Sequence, residues 1–316
     1  MENYIYETAN GEVGYFKIEN DICIFHPFSD FTFMRRIGEW ERRLRFHKIN
    51  SEDPDNFTPS ETLALENMNY FLSQNRMGGP YEVTNKIKLN DAGCYFPRIN
   101  RGEPLLSDHQ ISSPERADET KAFNNILISL EDIFRTLEPE ATNFIAYGNR
   151  IRELLIISCT EVEYLLKRTV IENGRQPKRK HFTTVDYVWC LSVQKLNEYE
   201  VNLPTYPALA SFKPFQPWTK TNPTGSLFWY DAYNKVKHDR GSTKKDATLG
   251  ALINAIAAIH ILLEAQYGRE LFDFRMQHTF RTLFKSTRRP TWNINDLCMP
   301  FISQTGLEWK QTKNHP

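Results

Sequence analysis

One long uncharged segment limits most strongly what this chain can fold into. No Asp, Glu, Lys or Arg stands between Ala247 and Leu263, and this length is close to the minimum for crossing a bilayer. Four residues that are not strongly apolar interrupt the segment, namely Thr248, Gly250, Asn254 and His260. Its small residues, Ala251, Ala255, Ala257 and Ala258, suit a helix surrounded by protein. We therefore predict the buried core helix of a bundle rather than a membrane span, with His260 as a hydrogen-bonded core residue.

Apolar spacing predicts further helices around this segment. Apolar residues recur at intervals of three and four, and helix-stopping Pro or Gly residues follow each run. The predicted helices run from about Asp118 to the residue before Pro139, from Ala141 to Asn173, from Leu227 to Arg240 and from Asp246 to Gly268. The sequence therefore predicts a mainly α fold, with a four-helix bundle over residues 118–268.

The first 110 residues have a different character. Short β-like runs separated by turn residues predict three small strands, at Tyr4–Tyr6, Gly14–Ile18 and Ile22–Phe25. A capping pattern at Thr58-Pro59-Ser60-Glu61 predicts a helix over Leu63–Gln74. We therefore predict a small α+β domain over residues 1–110, separated from the bundle by a Gly-, Pro- and Ser-rich stretch, and a carboxy-terminal extension over residues 269–316.

Charge and cysteine content exclude several protein classes. Thirty-nine Lys and Arg balance thirty-nine Asp and Glu, so any polyanion must meet a local basic patch. The five cysteines are scattered without zinc-ligand spacing, and the amino end lacks a signal-peptide pattern, so we expect a reduced, cytoplasmic location and no metal. The sequence has no Gly-rich phosphate loop, nucleophile elbow or Cys-x-x-Cys pair, so no cofactor is expected.

The predicted helix from Leu227 to Arg240 carries the strongest functional pattern. At 100° per residue, Asp231, Asn234 and Lys235 fall within about 60° of the direction of His238. The opposite side holds residues suited to packing, namely Trp229, Ala232, Tyr233 and Val236. A histidine beside an amide and cations can perform acid–base chemistry on a phosphate ester. A histidine near a helix end can also simply favour the helix dipole, so a structural role stays open.

The pattern Asn234-x-x-x-His238, followed by a strongly apolar helix, resembles the motif of the HEPN family over about residues 118–268. The resemblance implies a helical bundle that cleaves RNA without a metal, at a composite site between two copies, in prokaryotic defence or stress control. The family motif also has an arginine before the histidine. The corresponding positions here hold Tyr233, Ala232 and Asp231, so a non-catalytic module that binds RNA, a nucleotide or a partner protein is the alternative.

The resemblance and the local charges assign roles to particular residues. His238 is expected to transfer protons, with Asn234 beside it at the catalytic site. Contacts to the RNA phosphates are expected from Lys235, Lys237 and Arg240. Further contacts are expected from Lys178, Arg179 and Lys180 of the basic segment, Arg175 to His181; the alternative is that this segment is only a solvated loop. Supporting roles are predicted for Asp231, Glu161 and Glu163, although the two glutamates also fit a solvated helix face.

The expected partners are RNA and a second copy of the helical domain, with no membrane. A third interpretation makes the helices a scaffold for the amino-terminal domain.

Overall fold

The structure is a computed structural model of the chain, and it describes residues 2–9, 11, 13–19, 22–26, 33–36, 83–101, 113–239, 241–272, 282–303 and 307–315. The chain forms two compact units. The first unit joins residues 1–95 with 292–312. The second, which we call the helical unit, joins residues 96–291 with 313–316.

Among the described residues, most strands lie near the two ends of the chain, and the long helices lie between them. The strands are β1 (Glu2–Thr8), β2 (Val13–Glu19), β3 (Ile22–His26), β4 (Phe33–Arg36), β5 (Val83–Leu89), β6 (Cys94–Tyr95), β7 (Glu200–Asn202), β8 (Lys285–Arg288), β9 (Phe301–Ile302), β10 (Leu307–Glu308) and β11 (Gln311–Thr312). The α-helices are α1 (Pro114–Phe134), α2 (Asn149–Glu172), α3 (Thr184–Tyr187), α4 (Trp189–Val193), α5 (Phe228–His238) and α6 (Leu249–Tyr267).

The first unit is built on an antiparallel sheet in the order β4-β3-β2-β1-β5. Tyr4 pairs with Phe16 across β1 and β2, and their rings stack with centroids 4.6 Å apart. Such cross-strand aromatic pairs stabilise a sheet. The three predicted strands are confirmed as β1, β2 and β3, whereas the predicted helix over Leu63–Gln74 lies outside the described residues.

The carboxy-terminal segment completes this unit. Its buried residues Ile294, Met299 and Ile302 pack with Ile5 and Tyr15 of the sheet. Two short pairings add to it, one antiparallel between β9 and β10 and one parallel between β6 and β11. A segment with weak periodicity therefore supplies part of the core of this unit.

Capping groups determine where the long helices begin and end. The hydroxyl of Ser113 accepts the N–H of Arg116 at 3.1 Å and caps α1. Thr248 caps α6 in the same way, accepting the N–H of Ala251 at 3.2 Å. After α2, Gly174 adopts a φ of +74°, a conformation that glycine reaches without strain. A predicted start of α2 at Ala141 is wrong, because residues 141–145 form a separate 3-10 helix.

Helix α6 forms the centre of the helical unit, and α1, α2 and α5 all pack against it. It is long and apolar enough to cross a membrane, but nearly all of its residues are buried, as in the core helix of a soluble protein. The prediction of a core helix is confirmed. His260 is also confirmed as a buried residue, since its ring nitrogens lie 3.2 Å from the hydroxyls of Thr282 and Ser286.

An irregular, proline-rich stretch crosses the helical unit between β7 and α5. Phe212, Phe215 and Trp218 are buried in the core, so aromatic side chains anchor this loop. The loop also forms an isolated β-bridge between Phe212 and Val201, and β7 pairs with β8. The helical unit therefore contains strand pairing that the sequence pattern does not predict.

The predicted fold class, a mainly α four-helix bundle with a smaller α+β domain, is wrong. Among the described residues 44% are helical and 19% lie in strands, so the protein has an α+β fold. The error has a physical cause. Most of the missed strands are only two to four residues long. Several pair with strands distant in sequence, as β6 does with β11 and β7 with β8, and do not follow a periodic apolar pattern.

Candidate functional site

The last turn of α5 presents the polar face predicted around His238. Lys235, Lys237 and His238 are exposed there, and Asn234 is half-buried. The opposite face packs into the core through Trp229, Ala232, Tyr233 and Val236. Amphipathic spacing thus orients the helix, and the basic side chains occupy the end where the helix dipole favours positive charge.

Local bonds already engage two of the predicted site residues. Asn234 donates its side-chain N–H to the carbonyl oxygen of Tyr230 at 3.1 Å, so its amide is oriented by the helix itself. Lys235 forms an ion pair of 2.8 Å with Asp231, and this bond raises the pKa of the lysine. Asp231 therefore supports Lys235. Arg240 lies outside the described residues.

A polar cluster joins α5 to α2 around Glu163. The carboxylate of Glu163 accepts the hydroxyl of Tyr230, and its other oxygen accepts the hydroxyl of Tyr233 at 3.4 Å. Lys237 donates to the Tyr233 hydroxyl at 2.8 Å, which raises the pKa of the lysine. Burial, together with the bond to Glu163, raises the pKa of Tyr230 above its ordinary value. The sequence pattern assigns Tyr233 to packing and gives no role to Tyr230, and the Tyr-x-x-Tyr-x-x-x-Lys spacing was the available signal for this cluster.

The predicted supporting carboxylates are thus brought to other partners rather than to His238. Glu163 bonds to tyrosines, and Asp231 bonds to Lys235. Glu161 is half-buried near the negative charge of Glu119. Burial first, and this charge second, raise the pKa of Glu161 to about 7. Among the described residues, none of these three carboxylates orients the imidazole of His238.

The basic segment is exposed, as Lys178, Arg179 and Lys180 all reach solvent. Its path is set by Asp186, whose carboxylate accepts the backbone N–H of Lys178 at 2.9 Å and that of Thr183 at 2.9 Å. The structure therefore presents three adjacent cations on a loop that is anchored to α3.

No family model, curated protein or solved structure matches the chain. The resemblance to the HEPN family therefore depends on the residues of α5 and on the apolar helix α6 that follows it. In the part of the chain that the structure describes, no group of three or more His, Cys, Asp or Glu side chains could hold a metal ion.

Proposed function

We propose that this protein is a HEPN-like protein that acts on RNA through the exposed last turn of α5. The observation that carries the proposal is the arrangement of His238, Lys235 and Lys237, which are all open to solvent at one helix end beside Asn234. An imidazole beside ammonium groups combines a proton-transfer group with positive charge, which RNA cleavage requires.

The reaction that this arrangement can perform is internal transesterification. The neutral imidazole of His238 takes the proton of a ribose 2′-hydroxyl, and the 2′-oxygen attacks the adjacent phosphorus. The bond from phosphorus to the 5′-oxygen breaks, and that oxygen takes a proton from a second, protonated imidazole. The products are a 2′,3′-cyclic phosphate and a 5′-hydroxyl, with no metal in the balance. Lysine ammonium groups would stabilise the charge on the phosphorane.

The second imidazole is the reason to propose a homodimer. Helix α2 exposes an apolar stripe of Ile157, Tyr164 and Ile171, which are 55%, 41% and 39% exposed and spaced seven residues apart. Ile128 of α1, the helix packed beside α2, is exposed as well. A two-fold axis at Tyr164 would place Ile157 of one copy against Ile171 of the other. Two copies would then supply two His238 side chains.

The alternative is a module that binds RNA without cleaving it, and the residues at the family's arginine positions favour it. None of Tyr233, Ala232 and Asp231 is a cation. Tyr233 and Ala232 are also buried, and Asp231 is paired with Lys235. The nearest substitute in this cluster is Lys237, whose ammonium is held by the Tyr233 hydroxyl. A role in prokaryotic defence or stress control, in the cytoplasm, belongs to the proposal in either case.

The test is incubation of the purified protein with total RNA in EDTA. We expect cleavage by the wild-type protein, and we expect His238→Ala to lower the rate by roughly a hundred-fold, as for the loss of one acid–base group. His181→Ala is the matched control, because His181 is an exposed histidine outside α5 with no predicted role in proton transfer, and the substitution should leave the rate nearly unchanged. RNA binding without cleavage would favour the binding module, and cleavage that survives His238→Ala would exclude α5 as the catalytic element.

A further inference from the structure

The helical unit contains a cavity that the proposed reaction does not use. It has a volume of about 630 Å³ and lies where α2 ends and where α3 and α4 begin. Its lining includes Arg175, Lys178, Asp186, Trp189, Lys220 and His315. None of the residues of α5 belongs to its described lining. The volume is within the range of pockets that bind small organic molecules.

The charges around this cavity favour an anion. Among its described lining residues, three side chains are cationic, those of Arg175, Lys178 and Lys220, against one carboxylate, that of Asp186. That carboxylate is already satisfied, since it accepts two backbone N–H groups at 2.9 Å each. The lining therefore offers unbalanced positive charge, and a phosphate group matches a guanidinium and two ammonium groups well.

The same cavity is also lined by planar groups that stack on one another. The guanidinium of Arg175 lies over the ring of Trp189, with its central carbon 4.6 Å from the ring centroid. The imidazole of His315 meets Trp189 edge-on, with centroids 5.7 Å apart. Bases stack on aromatic rings and on guanidinium planes.

Residues 314 and 315 form part of this wall. The backbone N–H of His315 donates to the side-chain oxygen of Asn173 at 3.3 Å. Asn314 lies so close to Gly174 that a Cβ at that glycine would stand 2.7 Å from the Asn314 amide nitrogen. Gly174 thus both ends α2 and leaves room for the carboxy-terminal segment, which keeps His315 beside Trp189.

We propose that this cavity binds a nucleoside phosphate, with the phosphate on Arg175, Lys178 and Lys220 and the base against Trp189. Inorganic phosphate alone would leave the aromatic wall unused, and an uncharged nucleoside would leave the cations unused. A nucleoside phosphate can come from a free mononucleotide or from the phosphorylated end of an RNA chain. The proposal does not depend on RNA cleavage by His238.

The experiment is isothermal titration of the full chain with AMP, adenosine, inorganic phosphate and a short RNA with or without a 5′-phosphate. AMP should bind at least ten-fold more tightly than adenosine or phosphate. A free nucleotide as the source predicts that AMP binds more tightly than either RNA, whereas an RNA end as the source predicts that the phosphorylated RNA binds most tightly. Equal affinity for the two RNAs, with no binding of AMP, would overturn the proposal.

Variants of one basic segment provide the matched control. Lys178→Ala and Lys220→Ala should each lower the affinity for AMP by roughly ten-fold, as for the loss of one charge-assisted bond. Arg179→Ala and Lys180→Ala should not, because these neighbouring cations do not belong to the described lining. An equal loss in all four variants would show a diffuse basic surface and would overturn the proposal. His238→Ala should keep full affinity, which separates this site from the proposed catalytic residue, and circular dichroism would confirm that each variant is folded.

Discussion

Nη2 of Arg98 lies 2.7 Å from Oε1 of Glu119, and both side chains are buried in the helical unit. Arg98 also donates to Glu172 and to Gln266, at 2.7 Å each. The second oxygen of Glu119 accepts the hydroxyl of Tyr267 at 2.7 Å. This network ties the segment before α1 to the helices α1, α2 and α6.

The first prediction is that removing the charge of Glu119 destabilises the fold. Glu119→Gln would leave the buried guanidinium of Arg98 partly uncompensated, which costs about 3 kcal/mol in the free energy of unfolding. Urea denaturation would measure this loss in the free energy of unfolding. Glu115→Gln, on the same helix but exposed, is the control and should cost about 1 kcal/mol or less. Equal effects of the two substitutions would show that the buried pair contributes nothing beyond a surface pair.

The second prediction concerns the missing family arginine. Tyr233→Arg would place a guanidinium at a position that is 1% exposed, beside the ammonium of Lys237, so we expect a loss of about 3 kcal/mol in the free energy of unfolding. Lys235→Arg, at an exposed position of the same helix, should leave the stability within about 0.5 kcal/mol. Thermal unfolding would compare them. A stable Tyr233→Arg protein with increased RNA cleavage would show that Glu163 can accept the new cation.

Helix α5 shows which features a sequence can predict and which depend on packing. The two faces of α5 could be predicted from the sequence. With 3.6 residues per turn, Tyr233 and His238 lie on different sides of the helix whatever the rest of the chain does. The bond from Glu163 to Tyr230 did not follow, since the two residues are 67 positions apart and the bond depends on how α2 and α5 pack.

The start of α2 and the cavity proposed to bind a nucleoside phosphate could not be predicted from the sequence, because both depend on contacts between distant residues. Ala141 begins a run with helical spacing, but Tyr147 forms a β-bridge with Thr248 and so breaks the run. Trp189, Lys220 and His315 meet in one cavity although they are far apart in sequence, and no local pattern connects them.

The third prediction uses the raised pKa of Glu161. Its pKa is about 7 in the folded protein against an ordinary value of 4.5, so the folded state binds an extra proton between these two pH values. The contribution of Glu161 to stability is therefore most favourable at low pH, and it declines as the pH rises through this window. At pH 8 the charged carboxylate is half-buried, and Glu161→Gln should be more stable than the wild-type protein by about 1 kcal/mol, allowing for solvent screening.

Urea denaturation at pH 5 and at pH 8 would check this sign. The difference between Glu161→Gln and wild type should be smaller at pH 5 than at pH 8. Glu153→Gln, an exposed position on the same helix, is the control and should show little dependence on pH. A Gln variant that loses stability as the pH rises, relative to wild type, would contradict the assigned environment of Glu161.

The fourth prediction concerns salt. The chain has no net charge, so RNA affinity must depend on local cations that displace counterions from the phosphates. Replacing Lys178, Arg179 and Lys180 together by Ala should flatten the slope of log affinity against log salt concentration. Fluorescence anisotropy with labelled RNA at several salt concentrations would measure the slope. A slope equal to that of the wild-type protein would place the phosphate contacts elsewhere.

The last prediction tests the proposed dimer through the stripe on α2. Ile157 and Ile171 are large apolar side chains exposed on one helix face, and association would remove them from water. The double substitution Ile157→Lys and Ile171→Lys would bring like charges together on both sides of the two-fold axis and desolvate them. Light scattering at tens of micromolar should then show a dimer for the wild-type protein and a monomer for the double variant. Ile145→Lys is the control, because Ile145 is 79% exposed but lies outside α2, and it should remain dimeric.

If cleavage needs two copies of His238, the double variant should also lose its activity. Its free energy of unfolding, measured at low protein concentration, should be unchanged, because both residues are on the surface. A monomeric wild-type protein that still cleaves RNA would refute the composite site, and each His238 would then have to transfer both protons itself.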